Sequence, residues 1–69
     1  MKKQFTWFYK GLRVETRLVK NGVWRWYSSA YRNTTLANAG DFAASTASNA
    51  ITARGAKKKA ARDFRERGL

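Results

Sequence analysis

Apolar and polar residues alternate along the first 31 positions of the chain. Phe5, Trp7 and Tyr9 fall on every second residue, and after Lys10-Gly11 the alternation resumes with Leu12, Val14, Thr16 and Leu18. Period two belongs to strands, because successive side chains of an extended backbone point to opposite faces. Residues 4–31 are therefore expected as a β-hairpin region. The next segment, 33–50, reads NTTLANAGDFAASTASNA; it is small, polar and without clear period, and is expected as a loop holding a short strand around Phe42 or Ile51. From Thr52 the composition changes to TARGAKKKAARDFRERGL, which predicts a helix over 53–67 with Thr52 as N-cap and Gly68 as stop signal. Gly55 works against this helix by roughly 1 kcal/mol relative to Ala, less if it lies in the first turn. Together these elements predict one small α+β domain over 1–69: an antiparallel sheet of about three strands packed on one C-terminal helix.

On that helix Ala53, Ala60, Ala61 and Phe64 share a side at 100° per residue, with the aliphatic stem of Lys57 along the same stripe. This side is expected against the sheet. Arg54, Lys58, Arg62 and Arg65 collect on the other side with Lys59 beside them, forming a basic stripe.

The stretch LVKNGVWRWYSS, residues 18–29, decides which sheet face is apolar. A two-residue Asn21-Gly22 turn would pair Arg17 with Trp26 and put both Trp24 and Trp26 on the face of Arg13, Glu15 and Arg17. A four-residue turn Val19-Lys20-Asn21-Gly22 with Gly22 in a left-handed bulge would instead pair Leu18 with Trp24 and Thr16 with Trp26. The second register segregates better: Leu12, Val14, Leu18, Trp24 and Trp26 form one apolar face, joined by Trp7 if the chain reverses at Lys10-Gly11. Exposing two indoles would forfeit about 2 to 3 kcal/mol of burial each. The expectation is therefore that both tryptophans are core, that Arg13, Arg17, Arg25 and Tyr27 face away from the helix, and that Lys20 sits at the hairpin tip.

Composition narrows the chemistry. The 69 residues include neither Cys nor His, so thiolate zinc sites, disulfides and the usual proton shuttle near neutral pH are all excluded. Without His or Cys no nucleophile and general-base pair can be built convincingly, and neither an enzyme activity nor a cofactor is expected. Fifteen Lys and Arg stand against Glu15, Asp41, Asp63 and Glu66, a net +11 that attracts polyanions strongly. Behind Met1-Lys2-Lys3 there is no apolar run of signal-peptide length, and no stretch approaches the roughly 20 apolar residues of a membrane span. A cytoplasmic location, with no membrane and no small-molecule substrate, is the expectation.

The Gly-tipped hairpin, the aromatic-x-aromatic second strand Trp24-Arg25-Trp26, and a closing helix carrying Thr52, Ala56, Ala60 and Phe64 resemble the sheet-plus-helix DNA-binding modules of phage integrase N-terminal (arm-binding) domains and plant ethylene-response-factor domains. The likeness covers about two thirds of the chain. It implies that the exposed face of a three-stranded sheet enters the DNA major groove, with base and phosphate contacts from Arg13, Arg17, Arg25 and Tyr27. Lys20 and the helix cations Arg54, Lys58, Lys59, Arg62 and Arg65 complete the candidate set. Size and composition are also similar to small phage and mobile-element products. DNA is thus the leading partner; RNA suits the same charge and Tyr/Arg surface, and a small phage-encoded inhibitor of anti-defence type, binding an acidic patch on a host protein, is the alternative. Oligomeric state stays open.

Overall fold

The computed structural model describes residues 3–32 and 41–69. Part of the expected loop, residues 33–40, lies outside the described residues. The remainder is an α+β fold in which strands β1 (Gln4–Tyr9), β2 (Leu12–Asn21), β3 (Val23–Tyr31) and β4 (Phe42–Ser48) are followed by helix α1 (Ala53–Glu66). The strands form one antiparallel sheet in the order β1-β2-β3-β4. The hairpin region 4–31 thus holds three strands, and the 33–50 segment adds a seven-residue fourth that starts at Phe42. Ile51 is in no strand; it is 92% exposed just before the helix cap.

The β1–β2 reversal is the expected one. Lys10 and Gly11 both have positive φ, 47° and 83°, as in the primed two-residue turns whose twist matches that of the strands they join. At the second reversal the chain departs from expectation. Gly22 alone is the apex, with φ 83°, and pairing continues up to Asn21 opposite Val23. Leu18 therefore faces Trp26 and Lys20 faces Trp24, two residues out of step with the expected register. A slip of two keeps every side chain on its face, so apolar-polar segregation cannot distinguish the two registers. The observed one has a longer ladder, and it brings two buried hydroxyls into line. Thr16 Oγ1 and Ser28 Oγ lie 2.8 Å apart across the β2–β3 pair, and Trp7 Nε1 donates to Thr16 Oγ1 at 2.8 Å. Three polar groups on the core face thereby satisfy one another, as buried polar groups must.

The core lies between this face and the helix. Trp7, Val14 and Ala30 pack with Ala60 and Phe64, while Phe5, Tyr9, Leu12 and Leu69 close the sides. Trp26 is 2% exposed and donates its indole N–H to the Ala50 carbonyl at 3.1 Å. The buried helix positions are Ala56, Ala60 and Phe64, a four-residue spacing; Ala53 and Ala61, expected at the centre of the contact, flank it and are half-buried. Small side chains at 56 and 60 let the helix lie close to β3 and β4. Lys57 behaves as expected, its Nζ 5.4 Å from the Trp7 ring centroid.

Both helix ends are closed. Thr52 Oγ1 accepts from the Gly55 amide at 3.0 Å, and a Cβ on residue 55 would come within 3.2 Å of that oxygen. Gly55, expected to weaken the helix, thus gives its cap room. At the far end Gly68 (φ 86°) donates to Arg65 O and Leu69 to Phe64 O, a Schellman closure that folds Leu69 back onto the core.

Candidate nucleic-acid interface

The strand pairings sort the expected site residues onto surfaces. Arg17 is opposite Tyr27, and Arg25 opposite Val19, on the sheet face turned away from the helix; all three polar residues are exposed. Gln4, Ser29, Ser45 and Glu15 surround Arg17 and Tyr27 in a shallow trough. Phe8 and Phe42, about 60% exposed, border it at the two sheet edges. Phe42 reaches this face through a bulge in the β3–β4 pairing at Ala30/Tyr31, and its ring meets Tyr31 edge-on with centroids 6.1 Å apart.

Arg13 is on the same face, as expected, but is buried there. It is 7% exposed, ion-paired with Glu15, and its guanidinium carbon is 4.8 Å above the Tyr31 ring. Facing Phe8 on one strand and Tyr31 on the other, it has aromatic neighbours that cover its stem, and Glu15 offsets its charge. The expectation that Arg13 reaches a partner is corrected accordingly. Glu15 is occupied by the same pair, so the one acid on this face does not oppose Arg17.

Past Arg17 and Trp26 the sheet narrows. The first residue of β1, Gln4, pairs with Arg17, and the last residue of β4, Ser48, pairs with Trp26. Beyond Leu18, whose amide still donates to Lys3 O, the β2–β3 hairpin is a two-stranded ribbon among the described residues: residues 19–21 on one side, 23–25 on the other. It bears Arg25 on the open face and Lys20 and Trp24 on the other. Trp24 was expected in the core. It is on the core face, but beyond the reach of the helix, and is 50% exposed. The ammonium groups of Lys3 and Lys20 lie 5.7 and 5.8 Å from its centroid. Sequence reasoning missed this split between the two indoles because face membership alone does not say how far along the sheet its cover extends.

On the helix, Arg54, Lys58, Lys59, Arg62 and Arg65 are all exposed, as expected. Gly55 and Ala61 form a low floor between Lys58, Lys59, Arg62 and Arg65. Asp63 is engaged by Arg67 at 2.9 Å, which leaves Glu66 as the other acid of this helix. The helix packs on one side of the sheet and the Arg17/Tyr27 trough is on the other. The two basic sets expected to act together therefore occupy opposite sides of the molecule.

Among the described residues no group of three or more His, Cys, Asp or Glu side chains is placed to hold a metal ion, and no helix is long and apolar enough to cross a membrane. The chain matches no protein-family model, no curated protein and no solved structure.

Proposed function

We propose that the protein is a nonenzymatic nucleic-acid-binding module whose β2–β3 ribbon enters the major groove of duplex DNA. The observation that carries this reading is the projecting ribbon with Arg25, Lys20 and, at its base, Arg17. A four-stranded sheet is about 14 Å across its outer strand axes and does not lie flat in a groove about 12 Å wide, whereas a two-stranded ribbon does. Three residues of strand extend about 10 Å, comparable with the groove depth of about 8.5 Å. In that pose Arg25 reaches base edges, where a guanidinium pairs in bidentate fashion with guanine. Arg17 and Tyr27 meet the phosphates at the groove margin. The likeness to integrase arm-binding and ethylene-response-factor domains agrees in using the sheet face, with the ribbon replacing a whole sheet as the inserted part.

Substitution tests base reading by the ribbon, with the helix cations as a control. Arg25→Ala is expected to lower affinity for a preferred sequence by about 1 to 3 kcal/mol and to flatten the preference between sequences, while Lys58→Ala and Arg62→Ala leave the preference unchanged. Competition binding of wild type and variants against a duplex pool measures both. Equal, sequence-blind losses from all three changes would remove base reading from the ribbon.

Trp24 favours a second reading. A half-exposed indole between two lysines suits an unpaired base, its face stacked on the ring and its phosphate near an ammonium; stacking of this kind contributes about 1 to 3 kcal/mol per base. Tighter binding to single-stranded DNA or RNA than to duplex, lost in Trp24→Ala, would make that reading the primary one. Salt-insensitive capture of an acidic protein with weak binding to every nucleic acid would support the inhibitor alternative instead.

A further inference from the structure

The helix ridge faces away from the sheet, on the side of the molecule opposite Arg17, Arg25 and Tyr27. Taking the buried position Ala60 as the direction of the sheet, Arg54, Lys58, Arg62 and Arg65 lie 120° to 160° around the helix, at about 100° per residue, and point away from it. Over twelve positions this ridge runs about 16 Å along the helix. The Cα body is 19 Å across even in its shortest dimension, about twice the Debye length near physiological salt. A straight duplex lying along the open sheet face would therefore feel little of the ridge's field. Yet the ridge carries four exposed cations, Arg54, Lys58, Arg62 and Arg65. Its cations border a recess floored by Gly55 and Ala61, small enough for a phosphate backbone to approach closely, and Asp63 is turned aside by Arg67.

We propose that the ridge takes a second segment of duplex, so that a single copy of the chain bridges two duplexes, one on the ribbon and one on the helix. This inference rests on the ribbon reading above. Bridging by one copy joins segments that are distant along one molecule or belong to two, which is a different activity from occupying a single site.

The test uses the full chain, a bead-immobilised duplex and a second, fluorescently labelled duplex, at about 0.15 M salt, where fields are screened over about 8 Å. Binding to one duplex is read by anisotropy and bridging by the labelled duplex retained on the beads. Wild type is expected to do both. Lys58→Gln/Arg62→Gln should keep its affinity for a single duplex within about threefold, since the ribbon is untouched, while retention falls about tenfold or more through two lost phosphate contacts. Lys10→Gln/Arg32→Gln removes the same charge from exposed positions outside both surfaces and should retain the labelled duplex as wild type does. No duplex binding by wild type would overturn the ribbon reading and this inference together. Binding without retention would overturn only the inference. Retention that survives the ridge substitutions, as when two copies associate, or that falls equally in the control, as in condensation by net charge, would overturn it as well.

Discussion

Trp26→Ala is expected to unfold the protein. The indole is 2% exposed, its ring meets Phe5 edge-on at a centroid distance of 6.2 Å, and its N–H holds the Ala50 carbonyl just before the helix cap. Truncating a buried aromatic of this size costs about 3 to 5 kcal/mol, and a chain of this length has roughly 3 to 10 kcal/mol of stability in all. The substitution also strips the Ala50 carbonyl of its donor and loosens the junction between β4 and α1. Trp24→Ala is the internal control. Half-exposed and beyond the helix, it should cost about 1 kcal/mol or less. Denaturant unfolding followed by circular dichroism distinguishes the two. A folded Trp26→Ala protein of near-native stability would contradict the packing described here. In the wild type, iodide should quench the Trp24 fraction of the fluorescence and leave Trp7 and Trp26 largely protected.

The second large effect is on binding. If Lys3, Arg17, Lys20 and Arg25 at the ribbon neutralise about four phosphates, the log–log dependence of affinity on salt has a slope near −3.6, and affinity falls about a hundredfold between 50 and 200 mM salt. The net charge is +11 on 69 residues, with Glu15 and Asp63 each taken up by an arginine. Titrations of a labelled duplex over that range measure the slope directly. A slope near zero would place the binding energy in apolar contacts, around Trp24, Val23 and Ile51, and would turn attention from nucleic acid to a protein partner.

What the sequence made legible follows from which physical rules act locally. Strand period, the Lys10-Gly11 reversal, the Thr52 cap and the Gly68 stop each depend on a few neighbouring residues, and each appears where expected. The β2–β3 register does not depend on neighbours alone. Polarity permits any even slip, and the deciding signal was the presence of Thr16 and Ser28 on an otherwise apolar face, where each needs a polar partner. β4 was obscured because FAASTAS is nearly free of large apolar residues: its small side chains are what allow the helix to approach. The burial of Arg13 on its expected face was not legible, because alternation reports a face and not a neighbour; Phe8 and Tyr31 flank it only once the register is known. The opposite placement of the two basic sets was legible, since strand alternation and helical period each assign a direction to their cations.

Entry of the ribbon into the major groove can be tested by blocking that groove. Binding should be compared on one duplex with ordinary cytosines and on the same duplex with bulky groups on cytosine C5, which fill the major groove and leave the phosphates and minor groove open. The account predicts a loss of about tenfold or more on the blocked duplex, from the excluded Arg25 contact and the lost approach of Lys20 and Arg17, with little residual effect of Arg25→Ala there. Equal affinity for both duplexes, together with competition by a minor-groove ligand, would contradict it.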